Sequence, residues 1–414
     1  MVNFTSLLGG DQAAYPAPRC RLKVNGEDIT AMIEPRLIGL ELTDNRGLEA
    51  DQLDIRLSDH DGQLAIPPRG ARLQLWLGWS DSGLIDKGSF VVDEVEHSGA
   101  PDTLSIRGRG ADLRAGLKVK RDRSWQSQTV GSILTTVATT HGLCAVVSPA
   151  LAEQHIEQLD QANESDANLL SRLGLDYDAV ATVKAGHLLF MPTGGSTSAN
   201  GVALPHIELT RADGDQHRFL QADRNSYSGA RAHYYEANRA EKKSAIAGAE
   251  GNLKTLRHLY TDARSALAAA RAEWNRLLRG SATLSYTLAK GRPDLIPELT
   301  YSLHGVKEDI DAIVWLGANV RHSFTPEAFT TALELDAKLP DIEDLSGLVE
   351  SGPQNYTGVV AWYRSKPSGK QRAYTAGDAT RPRPLAHLYA SEGNAKRAAE
   401  RALKRMREAP GVGS

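Results

Sequence analysis

A chain of 414 residues is too long for one ordinary core, so two to four packed units are expected. Hydrophobic residues make up 41% and charged residues 24%, which excludes a disordered or fibrous chain. With 48 basic against 51 acidic residues and a formal net charge of -3, no global field favours nucleic acid or an anionic membrane as partner.

Cys20 and Cys144 are the two cysteines, too few for a disulfide framework or a four-cysteine zinc site, and they fit a reducing compartment. The opening residues lack the basic region and apolar stretch of a signal peptide, and no run approaches the roughly 18 apolar residues of a membrane span. Assembly in a cytoplasm, with no integral membrane segment, is therefore expected.

After an N-terminal arm, 1–16, the pattern from 17 to 116 is strand and turn. Cys20, Leu22 and Val24 alternate with basic residues and run into Asn25-Gly26, a two-residue hairpin signal. Alternation returns in 53–57, 73–77 and 104–107, each bounded by Gly, Pro or Asp, as in a small barrel or sandwich.

A linking region, 117–180, changes period. Val130, Ile133, Leu134, Val137 and Ala138 form a helical stripe with Thr129 or Ser127 as cap and Gly142 as stop. A second helix is predicted from Ser165 to about Leu173, with Leu169, Leu170 and Leu173 on one face.

Strands are expected again from 181, at 181–183, 187–190, 207–209, 283–288 and 314–320, giving a second β unit over 181–336. The stretch 194–201 reads as a flexible loop. Inserted in this unit is a helix over 262–279, capped by Thr261 and stopped by Gly280, with Ala263, Leu267, Ala270, Trp274 and Leu277 on its stripe. Leu267, Trp274 and Leu277 are expected to be buried against the second β unit.

The stretch 337–355 reads as a Pro- and Gly-containing linker. Beyond it, 356–414 repeats the segment 227–285 without gaps. Tyr227 matches Tyr356, Gly248 matches Gly377, His258-Leu-Tyr260 matches His387-Leu-Tyr389, and Ala270 matches Ala399, all 129 residues apart (387 − 258 = 129). The second copy carries Ala395, Ala398, Ala399, Ala402 and Met406 on its helix, which predicts a small core and a peripheral position.

Candidate chemistry is sparse. Asp59-His-Asp61-Gly62 begins like a calcium loop, but its twelfth position is Gly70 where a Glu is needed, so it reads as a β-turn. Glu164-Ser-Asp166 and Asp176-Tyr-Asp178 are the nearest approach to an acid/base pair, and read as caps and solvated carboxylates. No His-Glu-x-x-His, Gly-x-Ser-x-Gly or phosphate-loop spacing occurs. No catalytic, cofactor-binding or metal residue is assigned, and no cofactor is expected. The basic tail 396–407 interleaves its cations with Ala and Leu at helical spacing and reads as a packing helix rather than a nucleic-acid contact.

Taken together, Leu53-Asp-Ile-Arg-Leu-Ser-Asp59, Ile66-Pro67, Gly70, Leu77-Gly78-Trp79 and Gly88-Ser-Phe-Val-Val-Asp-Glu-Val-Glu96 resemble the late control protein D family of phage tail proteins. The resemblance continues in Gln161–Asp166, Leu170–Leu173, Lys184–Phe190, Leu288–Pro297, Trp315 and His322, and covers about 17 to 335. It implies a baseplate hub similar to those of P2-like and Mu-like phages, R-type pyocins and the type VI secretion spike, located in the virion or a tail-like particle.

It further implies an α+β chain with two small β-barrel domains, interspersed helices and an additional C-terminal strand-helix module. A homotrimer would then present six barrels and adapt a sixfold tail tube to a threefold central spike. Partners implied are the tail tube protein, the central spike protein, the tape-measure protein and baseplate wedge proteins, with no sequence-specific nucleic acid. The rival enzymatic reading is a tail-borne cell-wall hydrolase, which needs a pocket of convergent carboxylates or a metal. A regulator of transcription would need a DNA-reading element, and none is evident.

Overall fold

The computed structural model describes residues 16–110, 115–184, 186–221, 227–236, 241–340, 356–365, 370–380 and 382–408. Residues 1–15 of the N-terminal arm and 341–355 of the expected linker lie outside the described residues.

The first β unit comprises β1 (Pro18–Val24), β2 (Glu27–Asp28), α1 (Thr30–Ile33), β3 (Leu37–Asp44), β4 (Gln52–Ser58), β5 (Arg72–Trp79), β6 (Gly83–Ser98) and β7 (Thr103–Gly110). The Asn25-Gly26 turn forms as predicted, both residues having positive φ, 50° and 91°. Period-two alternation sends Leu53, Ile55, Leu57, Leu73, Leu75 and Leu77 into one core, at 25 cal/mol or so for each Å² of apolar surface removed from water.

The middle region holds β8 (Lys120–Thr129), α2 (Val130–Thr140), β9 (Cys144–Val147), α3 (Pro149–Ala152), β10 (His155–Ser165), α4 (Asp166–Asp176), β11 (Ala179–Lys184) and β12 (His187–Pro192). Thr129 caps α2, its hydroxyl accepting from Ser132 N at 3.2 Å, and the predicted stripe of α2 is buried. Ser165 caps α4 in the same way through Asn168 N.

Here the observed pairing differs from the expectation. β11 and β12 pair with each other and β12 runs parallel to β9, so 179–192 completes the middle region instead of opening the second β unit. A short apolar strand carries no record of its partner, and the separate core around Leu134, Leu170 and Phe190 claims these two.

The second β unit contains β13 (His206–Thr210) and β14 (Gly214–Gln221), then after an inserted module β18 (Ala282–Leu288), β19 (Thr300–His304), α6 (Glu308–Asp311), β20 (Val314–Phe324) and β21 (Phe329–Ala337). Its core gathers Trp315, Tyr286, Tyr301 and Leu333. β21 includes Ala337, and Lys338 N still donates to Val314 O at 2.9 Å, so the sheet extends past the predicted start of the linker.

The inserted module is β15 (Gly229–Glu236), β16 (Glu241–Gly248), β17 (Leu253–Tyr260) and α5 (Ala263–Arg279). The C-terminal module is β22 (Gly358–Arg364), β23 (Gln371–Gly377), β24 (Pro382–Tyr389) and α7 (Glu392–Glu408). Both are three-stranded sheets with the first strand central, antiparallel to the second and parallel to the third. Even the bulge repeats, between Arg231 and His233 in one and Val360 and Trp362 in the other.

The helix α5 corrects two expectations. Its N-cap is Asp262, which accepts from Ser265 N, rather than Thr261. Its buried face is Ala266, Ala269 and Ala270 against Ala232 and Ala247, while Leu267, Trp274 and Leu277 are half-buried. Small residues win because the helix approaches its own sheet closely, with Trp274 lying over Gly248 as Leu403 lies over Gly377. The second helix buries Ala395 and Ala399 at the matching positions, so both copies rest on alanines and neither has the bulkier core.

A single path of hydrogen-bonded strands, β14-β18-β21-β20-β3-β4-β7-β6-β5-β1-β2, runs through both β units, with β19 and β13 branching from β20. The chain is therefore α+β and mostly strands. The path is open at its ends, and no closed barrel is formed among the described residues.

Candidate functional site

The two β units meet where β3 and β20 pair antiparallel, Asp44 against Val320 through Leu40 against Phe324. The hairpin of β20 and β21 places Phe324 and Phe329 in the core of the first unit. The segment 289–298 straps the joint from outside: Gly291 N donates to Phe329 O at 2.7 Å and Arg292 N to Thr331 Oγ1 at 3.0 Å. From the first unit Trp79 Nε1 donates to Gly291 O at 2.8 Å and Lys87 Nζ to Pro293 O at 3.2 Å.

Beneath the strap lies a cavity of about 300 Å³ shared by both β units and the middle region. Its lining carries Asp44, Asp51 and Glu298, the convergence of carboxylates that a hydrolase would need. Each is paired. Lys87 Nζ lies 2.9 Å from Asp44, Lys184 pairs with Asp51, and Arg46 Nε lies 2.7 Å from Glu298.

Arg46 also donates to Asp336 Oδ2 at 2.9 Å and Gly317 O at 2.7 Å, while Gly194 N donates to Glu298 Oε2 at 2.7 Å. Burial pushes the Glu298 and Asp51 carboxyls above the usual carboxylate range, opposed by Arg46 and Lys184 respectively. One guanidinium thus ties the first unit, the strap and β21 together. Ion pairs so enclosed fix the relative position of the elements that carry them.

The residues singled out for acid/base work take structural roles. Asp166 is fully buried and faces His141 Nε2 at 2.7 Å, Gln161 Nε2 at 2.8 Å, Arg123 Nη1 at 3.1 Å and Arg121 Nε at 3.2 Å. Glu164 pairs with Arg172. Asp176 and Asp178 are tethers, not solvated carboxylates: Tyr260 donates to the first at 2.7 Å, and Arg279 and Asn275 to the second, fastening the inserted module to the end of α4 and the turn that follows it.

In the Asp59–Gly62 turn, Gly62 N donates to Asp59 O at 2.9 Å and Arg36 grips Asp61. The cations of α7 meet protein carboxylates, Arg397 with Glu308 at 3.0 Å and Arg401 with Asp309 at 3.6 Å. Among the described residues no group of three His, Cys, Asp or Glu is placed to hold a metal, and no helix is long and apolar enough to cross a membrane. The junction follows from no local pattern in the sequence, although Trp79, the segment Leu288–Pro297 that holds most of the strap, and His322 are among the residues that carry the family resemblance.

The chain is 41% identical over 374 residues to the probable baseplate hub protein of Escherichia phage 186, an alignment covering 80% of this chain and 96% of that protein. The probable baseplate hub protein of Escherichia phage P2 is 38% identical, with the same coverage. Among solved structures, the 43 kDa tail protein of prophage MuSo2 from Shewanella oneidensis shares the fold, with a TM-score of 0.59 at 16% identity over 76% of this chain and 97% of that one. Residues 47–328 match the model of the phage tail baseplate hub (GPD) family, and the chain belongs to that family.

Proposed function

We propose that this baseplate hub acts as a homotrimer that joins the tail tube to the central spike, with each chain supplying two similar β units to a ring of six. The observation that carries this reading is the β3–β20 pairing, which fuses a seven-stranded and a six-stranded unit with separate cores into one continuous sheet. The locked junction holds them at a fixed mutual angle, as a ring position requires. The open ends of the path at β14 and β2 invite closure by neighbouring subunits, which would complete the barrels that the family resemblance implies.

In this reading 17–116 and 206–338 are the two barrel domains, and 117–192 links them. The two modules decorate the second, and the tube, spike, tape-measure and wedge proteins are its partners. Its function is assembly. The ion pairing of Asp44, Asp51 and Glu298 in the junction cavity and the structural naming of the relatives support a non-enzymatic role.

Cryo-electron microscopy of the particle tests the proposal, with three copies per baseplate between tube and spike expected. A hub that remains monomeric with its spike partner present would overturn it, and a positive peptidoglycan-clearing assay with purified protein would favour the hydrolase.

A further inference from the structure

The two copies of the duplicated module differ in what lies against the outer edge of their third strand. In the C-terminal copy that edge is taken. Leu388 N donates to Lys338 O at 3.1 Å, Ala390 N donates to Ala312 O at 3.0 Å, and Tyr389 bridges Ile313. Leu388 is 4% exposed, packed with Ala390, Val314 and Trp362. Carboxylates of the occupying segment, Glu308 and Asp309, meet Arg397 and Arg401. The edge of β24 thus meets carbonyls of Ala312 and Lys338 and the aliphatic Val314, with the acids of α6 standing beside it against α7.

Moving back 129 residues turns Leu388 into Leu259, Ala390 into Thr261, Trp362 into His233 and Arg364 into Tyr235. The backbone there has the same register, Leu259 lying opposite His233 as Leu388 lies opposite Trp362. Nothing among the described residues covers it. Leu259 is 50% and Tyr235 45% exposed, and β17 pairs only with β15 among the described strands. The adjoining surface is basic: Lys242 lies opposite Tyr235, Arg231 precedes His233 on the same face, and Arg257 is exposed on β17. An exposed leucine on an unpaired strand edge, beside cations, is a feature that soluble chains ordinarily cover.

We propose that the outer edge of β17 is a docking site for an acidic, aliphatic, extended segment of a different baseplate polypeptide. The segment adds as a strand along Leu259 and Thr261, seats an aliphatic side chain on Leu259 and His233, and directs a carboxylate to Arg257. Charge complementarity favours acid over base. Among the described residues a second copy of this chain offers no free equivalent, because its own Ala312–Val314 lies against its own β24. The inference rests on the baseplate-hub reading and names a contact within it.

Two measurements test it. In the first, a photo-crosslinking side chain at Tyr235 is activated in assembled particles, and the adduct is mapped by mass spectrometry. A crosslink to an acidic segment of a non-hub protein is expected. A crosslink to another hub copy or to a basic segment, or no adduct from particle-borne hub, overturns the proposal. Hub missing from the particles altogether would count against the baseplate-hub reading itself.

In the second, a synthetic peptide of residues 306–314 serves as probe for the full-length chain, and at least tenfold weaker binding is expected with Leu259→Asp. Ile66→Asp, at an exposed site in the first unit, leaves binding unchanged and controls for added charge. Equal affinity for the native chain and a normally melting Leu259→Asp chain would overturn the proposal.

Discussion

Trp79 of β5 donates its indole proton to the carbonyl of Gly291 at 2.8 Å, while its ring lies 5.7 Å from that of Phe329 and beneath the Lys290 ammonium. One side chain therefore touches the strap, the β20–β21 hairpin and its own unit. Trp79→Phe keeps the ring contact and removes the bond, and is expected to cost about 1 kcal/mol. Trp79→Ala also removes the packing and is expected to cost about 2 to 3 kcal/mol, less than a fully buried ring because Trp79 is half-buried. Chemical denaturation of the two variants checks the order, and an Ala variant no weaker than the Phe variant would deny the junction its packing role.

Asp166 holds the middle region together in the same many-partnered way. Asp166→Asn preserves shape but leaves Arg121 and Arg123 without their shared counter-charge. A loss of about 2 to 4 kcal/mol is expected, below the full value for a buried pair because both arginines reach solvent. Urea midpoints with and without high salt distinguish this from a surface pair, which salt would largely erase.

Much of this architecture was legible in the sequence where a local rule decides it. The α2 stripe with Thr129, the α4 cap at Ser165, the Asn25-Gly26 turn and the ungapped repeat each need only neighbouring residues to be read. The junction was not legible, because Arg46, Glu298 and Asp336 are brought together by a fold that no short-range pattern encodes. The face of α5 misled for another reason: periodicity ranks bulk, and Leu267 and Trp274 outrank Ala266 and Ala270 until the closeness of Ala232 and Ala247 is known.

His322 is fully buried at the joint, with Nδ1 2.9 Å from Thr331 Oγ1, and burial together with the Lys87 ammonium pushes its pKa down to about 3. The unfolded chain therefore binds a proton near pH 6.5 that the folded chain refuses. Stability from this group is complete above pH 6.5 and falls as pH drops toward 3, by about 2 kcal/mol at pH 5. His322→Gln is expected to lower stability at pH 7.5 yet flatten its decline between pH 6.5 and 4. An unchanged slope in thermal melts across that range would place the acid sensitivity elsewhere.

The C-terminal module bears on how much of the chain the hub requires. A cut after Asp336, where the family resemblance ends, would sever Ala337, which is fully buried opposite Trp315 in the β20–β21 ladder. A cut after Pro340 spares that strand and removes the C-terminal module, whose contacts with the second unit come from β24, α7 and Trp362 of β22. Lost with it are two backbone hydrogen bonds, the Ile313–Tyr389 bridge, the cover over Val314 and two exposed ion pairs. Exposed ion pairs contribute little, so the loss is dominated by the bonds and the bared valine, about 2 to 4 kcal/mol in all. The core of the second unit around Trp315 and Tyr286 does not include the module. Truncation after Pro340 is therefore expected to give a soluble chain that melts somewhat lower and keeps the trimer and spike binding proposed for the hub, but recruits the surrounding baseplate less well. Differential scanning calorimetry and analytical ultracentrifugation with the spike protein check it. A truncated chain that aggregates at ordinary temperature would make the module part of the core fold rather than an attachment to it.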